Sequence, residues 1–315
     1  LYPGTAGMPE YCNLTDPDKI EAIHRAYIES GARLIRTNTF AANGMFFEDM
    51  DEVEKVIRAG YQIAEDAVRK SGQDVFIAAD MGQIVDQKFC GEKEVCQEYF
   101  KICDIFEQCG AEIFMLETLS DFTHVCAVAE YIKQKNPDYF VIAQFSVDKS
   151  GYTRSGLGIE NIIRKAAECE AIDAYGFNCG VGAAHLGRLL ESVEFPNDKY
   201  VTALPNAGYP VTLRGRTVYG DNRRYYVEQM EQIAALGIEI LGGCCGTTPE
   251  YIHRLSEKLK DKPSFHKKIA DSQIRQEEGK GLPLKKKLNR GEKLYIVELD
   301  PPFDTDISKV MNGAA

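Results

Sequence analysis

The feature that most constrains this chain is a repeated alternation between short apolar runs and amphipathic segments. Runs of strand length occupy residues 34–40, 75–81, 113–119, 140–147, 175–179, 200–204 and 238–241. Segments of helical period fall at 16–30, 51–70, 93–109, 121–134, 159–169, 183–192, 222–236 and 249–260. Asp16-Pro17 and Thr248-Pro249 each place a capping side chain ahead of a proline suited to a first helical turn. Gly31, Gly72, Gly110 and Gly237 stand at helix exits, just before the next strand, where a left-handed residue is expected. Continuously apolar strands joined by helices imply a parallel sheet covered on its outer face.

An open doubly wound sheet and a closed barrel both satisfy that pattern, and the barrel is favoured. The helical segments outnumber the strands by one, and the first of them, at Asp16, has no strand before it, so an eighth strand is expected upstream of Leu1. With that strand restored, the repeat through Lys260 fills the roughly 250 residues of a (β/α)8 TIM barrel. No glycine-rich dinucleotide fingerprint follows any strand. Beyond Lys260 the character changes. Residues 261–292 are polar and lysine-rich, broken by Pro263, Gly279, Gly281 and Pro283, and read as a linker with one short helix. A new strand then starts at Lys293, is halted by Pro301-Pro302, and is followed by a helix start at Asp306. The expected organisation is a barrel over 1–260, a linker over 261–292 and the beginning of a second domain over 293–315.

Composition limits the partners. At 315 residues and 44% apolar, the chain can bury one large core. A net charge of −11 argues against nucleic acid, which requires a concentrated basic face. No run of about 18 uncharged apolar residues is present, so no membrane partner is expected. The ten cysteines lack the close regular spacing of a secreted disulfide scaffold, which fits a reducing, cytoplasmic setting. Cys103, Cys109, Cys126 and Cys169 fall on helical segments as small apolar packing residues, whereas Cys12, Cys90 and Cys96 fall in or near connections.

Barrel enzymes place their chemistry at the carboxyl ends of the strands. Those positions hold Asn38 and Thr39, Asp80, Glu117, Asn178 with Cys179, Asn206, and Cys244 with Cys245. The strands ending at Cys179 and Cys244 flank a single strand, so their tips can reach one metal ion. Thiolates select Zn2+, and three protein ligands leave a fourth position open. Such a site is a poor generator of hydroxide but can bind and ionise a further thiol while keeping its sulfur electron-rich, as alkylation of sulfur requires. Gly242, Gly243 and Gly246 are expected to let the adjacent cysteines turn toward one metal. Asn206, on the intervening strand, is expected to offer its amide oxygen to the open position until substrate displaces it.

The motifs Asn178-Cys179-Gly180, Pro205-Asn206-Ala207-Gly208 and Gly242-Gly-Cys-Cys-Gly-Thr-Thr-Pro249 resemble the zinc-site motifs of the homocysteine S-methyltransferase family. Arg36-Thr-Asn-Thr-Phe40 and Leu116-Glu-Thr118 resemble its barrel strands. The resemblance implies zinc held by Cys179, Cys244 and Cys245, with Glu117 holding the substrate ammonium group. It also implies transfer of a methyl group to the thiol of homocysteine to form methionine. The family's opening Asp-Gly-Ala-Met-Gly-Thr motif is not in this sequence. Val297-Glu-Leu-Asp-Pro-Pro302 is similar to the first strand of a methylenetetrahydrofolate reductase domain, which implies a fused, bifunctional type. Two alternatives stay open: methylation of another thiol or selenol, and a non-catalytic zinc-binding barrel that supports a fused reductase. The methyl donor is not specified by the sequence.

Overall fold

A computed structural model of the chain describes residues 8–85, 91–196, 199–209, 211–213, 216–218, 222–260, 262 and 282–297. Helices α1 (Cys12–Thr15) and α2 (Pro17–Glu29) lead into β1 (Leu34–Arg36). The alternation continues through α3 (Met50–Ser71), β2 (Phe76–Gly82), α4 (Glu92–Gln108), β3 (Ile113–Leu119), α5 (Val125–Lys135), β4 (Phe140–Phe145), α6 (Ile159–Glu168), β5 (Ala174–Gly182), α7 (Ala183–Glu191) and β6 (Tyr200–Asn206). A small antiparallel hairpin, β7 (Val211–Leu213) and β8 (Arg216–Val218), interrupts it before α8 (Arg223–Ala235), β9 (Ile240–Gly243), α9 (Pro249–Leu259), α10 (Pro283–Asn289) and β10 (Leu294–Val297). Parallel pairing closes the barrel in the order β1-β10-β9-β6-β5-β4-β3-β2.

The closed barrel agrees with the sequence reading; the identity of its eighth strand does not. Leu294–Val297, expected to open a second domain, lies between β9 and β1, pairing Tyr295 with Leu241 and Leu34 with Ile296. The physical reason is burial. Leu294 and Ile296 complete the apolar interior, and α10 lays Leu284 and Leu288 into the same cluster. Lys285 and Lys287 of α10 reach Asp173 and Asp74. The helix start expected at Asp306 lies outside the described residues.

Helix punctuation is partly as expected. All four exit glycines adopt positive φ. Neither Asp16 nor Thr248 uses its side chain as a cap. Asp16 instead pairs with Lys19 at 2.8 Å, and the proline at the first turn removes one of the donors a cap would serve. The side-chain cap on α3 comes from Asp49, which accepts from the Glu52 N–H at 2.8 Å.

The pleat of the strands positions the site. Side chains alternate between the barrel interior and the helical layer. Leu34, Ala78, Ile113, Met115, Phe140, Ile142, Ala174, Leu204 and Ile240 form the inner cluster, whereas Ile35, Ala79, Phe114, Val141, Tyr175, Val201 and Leu241 belong to the outer one. One or two further steps along the inward face reach Arg36, Asp80, Glu117, Gln144, Asn178, Asn206 and Cys244. The barrel is thus apolar at its amino end, where α10 plugs it, and polar at its carboxyl end.

Candidate metal centre

Three sulfurs meet at that carboxyl end. The Sγ atoms of Cys179, Cys244 and Cys245 all lie within 4.8 Å of one another, and Cys179 Sγ is 3.7 Å from Cys245 Sγ. Strict alternation would send Cys179 outward, since Asn178 before it faces in. A left-handed residue corrects this: Cys179 has φ 55°, and the β5–β6 register shifts between Asn178 and Gly182. Gly180 follows at φ 66°, and a Cβ there would stand 2.2 Å from the Val147 carbonyl oxygen, so only glycine fits.

The second arm is a turn fastened on both sides. The Cys244 N–H donates to the Pro205 carbonyl at 3.0 Å, and Ala207 N–H donates to the Cys245 carbonyl at 3.0 Å, so β6 grips both cysteines. Thr247 Oγ1 donates to the Cys244 carbonyl at 2.6 Å, while Tyr27 Oη donates to the Thr247 carbonyl at 2.7 Å. Of the flanking glycines, Gly246 turns the chain at φ 79°. Gly242 serves a different purpose from the one expected: a Cβ there would meet the Ile296 carbonyl oxygen at 1.6 Å, so its absence lets β10 dock.

Asn178 joins the sulfur cluster to the acidic side of the mouth. Its Oδ1 accepts from Thr118 N–H at 3.0 Å, and its Nδ2 donates to Thr118 Oγ1 at 2.8 Å and approaches Cys244 Sγ at 3.8 Å. Thr118 has φ 54°, costly for a β-branched residue. The two non-glycine residues with positive φ among the described residues, Thr118 and Cys179, are therefore held by or adjacent to one amide. The Cys179 thiol is held well below the usual thiol range, foremost by the Cys244 and Cys245 thiols and also by the Gly180 N–H and the Asn206 amide, against the effect of burial. Asn206 Oδ1 is buried without a hydrogen-bond partner.

Glu117 is almost wholly buried and forms an ion pair with equally buried Arg36. Arg36 entered the sequence reading only as part of a strand motif; an arginine two residues past an inward leucine was the available signal. Asp80 stands beside this pair, its carboxyl pushed up to about 7 by burial and by Glu10, with Arg36 opposing. Asn38 does not face the sulfurs. It exchanges hydrogen bonds with Asn13 and donates to the Pro9 carbonyl, ordering the loop after β1. The structure thus brings together Cys179, Cys244, Cys245 and Asn206 and connects them to Glu117 through Asn178 and Thr118.

The raised carboxyl of Asp80 makes stability pH-dependent. Below about pH 4 the group is protonated in both states and contributes nothing. Between about 4 and about 7 the unfolded state releases its proton while the folded state retains it, so stability falls as pH rises. The limiting slope is about 1.4 kcal/mol per pH unit. Urea midpoints for Asp80→Asn are expected to lack this slope, and an unchanged profile would assign it to another group.

Among the described residues no helix is long and apolar enough to cross a membrane. The chain is 28% identical over 277 residues to the methionine synthases of Mycobacterium leprae (strain TN) and Mycobacterium tuberculosis (strain ATCC 25618 / H37Rv). In each case 81% of this chain aligns with 22% of the relative, so the chain spans about a fifth of their length. Its fold is similar to the homocysteine methyltransferase MmuM of Escherichia coli. The apo form superposes with TM-score 0.61 at 21% identity, covering 79% of this chain and 88% of that one. The metallated form gives 0.62 at 18%, covering 78% and 86%. The family model described as homocysteine S-methyltransferase matches residues 6–259, a span that contains the three clustered cysteines and every barrel strand except β10, and the chain belongs to that family.

Proposed function

We propose that this chain transfers a methyl group to the thiol of homocysteine, yielding methionine, with zinc held by Cys179, Cys244 and Cys245. The observation that carries the proposal is the convergence of three thiols at the polar end of the barrel, with no fourth cysteine, histidine or carboxylate in the group among the described residues. A three-sulfur donor set suits zinc and leaves room for a substrate sulfur. The acceptor Asn206 Oδ1, buried and unpaired, is a further sign that the site expects a partner. When bound, zinc would supply a Lewis acid that lowers the pKa of a thiol brought to it.

The chain's own residues do the rest. Asn178 fixes the orientation of Thr118 and Cys244. Asn206 faces the incoming sulfur with its free Oδ1. Glu117, already paired with Arg36, offers a carboxylate to the ammonium of an amino-acid substrate, and that role for Glu117 is part of the proposal. The methyl donor is any electrophilic methyl able to reach the open end of the barrel.

We further read residues 297–302 as the edge of a fused methylenetetrahydrofolate reductase segment, on the sequence similarity alone. Homocysteine added to the zinc-loaded chain is expected to release one proton per site in weakly buffered solution, as the thiol ionises on binding. Binding without proton release, or release unaffected by a chelator, would defeat the zinc-thiol reading.

A further inference from the structure

Asn178 stands near the carboxyl end of β5, almost wholly buried, and the direction of its amide is fixed by Thr118 of β3. The pairing of β3 with β4 changes register between Leu116 and Leu119, and inside that irregularity Thr118 takes φ 54°. With the chain turned this way, the Thr118 N–H meets Asn178 Oδ1 at 3.0 Å. A backbone N–H can only donate, so the amide oxygen must lie on that side and the amide nitrogen on the other. Nδ2 therefore gives one hydrogen to Thr118 Oγ1 at 2.8 Å and directs the other at Cys244 Sγ, 3.8 Å away, within the reach of a hydrogen bond to sulfur. An amide free to flip would present an oxygen lone pair to that thiol; this one is held by two bonds.

Packing alone does not call for the arrangement. A β-branched residue at positive φ is strained, and glycine or asparagine would hold the same turn with less strain. Strain of this kind persists where the site uses it. Threonine supplies Oγ1, the second point by which the amide is held, and what the turn secures is a donor facing one of the three clustered sulfurs. Cys244 is itself buried, so solvent does not compete for the contact.

A hydrogen bond to a metal-bound thiolate withdraws electron density from its sulfur. Three thiolates give a zinc site a net negative charge, and the more they donate the weaker the pull on a fourth sulfur. We propose that Asn178 is a positioning residue for methyl transfer: its Nδ2–H, held toward Cys244 Sγ by Thr118, restrains that thiolate and so makes homocysteine easier to ionise at the open position. The thiol proton leaves to solvent, and Asn178 acts through Cys244 rather than on the substrate. The proposal rests on the zinc–thiol reading above and adds the residue that sets how strongly the site ionises its substrate.

Two measurements on the full chain test it. In cobalt-loaded protein without substrate, Asn178→Leu removes the donor at similar volume and without adding charge. Its sulfur-to-cobalt charge-transfer absorption should move to longer wavelength while one equivalent of cobalt is retained. In zinc-loaded protein, proton release on adding homocysteine, followed against pH, should have its midpoint raised by about one unit, a tenfold change in the ionisation constant. Asn178→Asp keeps an acceptor for the Thr118 N–H but loses the donor toward sulfur, so both readouts should shift in the same direction although the grip on the backbone remains. If Asn178→Leu does not fold, Asn178→Asp carries both measurements. An unmoved absorption band or an unmoved midpoint in a folded variant that keeps its metal would overturn the proposal. Loss of metal from Asn178→Leu with both readouts native in Asn178→Asp would also overturn it, since Asn178 would then only hold the shape of the site. A native chain that takes up zinc but releases no proton with homocysteine would defeat the zinc–thiol reading itself, and this proposal with it.

Discussion

Cys245→Ala is expected to abolish stoichiometric zinc binding and methyl transfer while leaving the barrel folded. With zinc held by the three cysteines as proposed, removing one thiol strips a direct donor from the site. The loss of affinity should exceed the roughly 100-fold cost of deleting an outer-shell partner. Cys245 is the informative choice because it is only half-buried, whereas Cys244 is packed in the interior and its truncation would also open a cavity. The turn should survive, since its link to Ala207 uses the Cys245 carbonyl rather than the side chain. Competition with a chromogenic chelator measures the affinity, and Cys103→Ala, which removes a buried thiol facing Met81, serves as the control. Retention of one equivalent of zinc at unchanged affinity in Cys245→Ala would remove this residue from the metal site.

What was legible in the sequence, and what was not, follows from the range of the forces involved. The barrel was readable because strand length, helical period and exit glycines are local signals that agree with one another. The convergence of Cys179 with Cys244 and Cys245 was readable because all three stand at strand tips in a fold whose tips meet. Three things were not. The role of Leu294–Val297 was hidden because its pairing with β1 and β9 crosses the polar stretch 261–292, and nothing local distinguishes a strand that closes one barrel from a strand that begins another unit. The rotation of Cys179 into the mouth depends on a left-handed backbone and a register shift, for which Gly180 is the single local hint. The pairing of Arg36 with Glu117 joins β1 to β3 across an intervening strand, a contact that exists only once the barrel has closed.

That pairing makes Glu117→Gln the second substitution with a large expected effect. Both partners are almost wholly buried, so removing the carboxylate charge leaves the Arg36 guanidinium in a low-dielectric interior without its main counter-ion. The expected loss is about 3–5 kcal/mol of stability, read from urea unfolding. Replacing both residues with methionine should cost less than Glu117→Gln alone, because no stranded charge remains.

The nearby Asp80 supplies an internal check. Arg36 already opposes the upward shift of Asp80, and with Glu117 neutralised it should do so more strongly. The folded Asp80 carboxyl would then titrate lower, and the stability slope between about pH 4 and 7 should shrink in the variant. Substrate kinetics separate structure from recognition. If Glu117 also receives the substrate ammonium, surviving folded Glu117→Gln should show a raised KM for homocysteine with zinc stoichiometry unchanged, since glutamine keeps the shape but not the charge. An unchanged KM in a destabilised but folded variant would confine Glu117 to neutralising Arg36, and the substrate ammonium would then have to be held elsewhere.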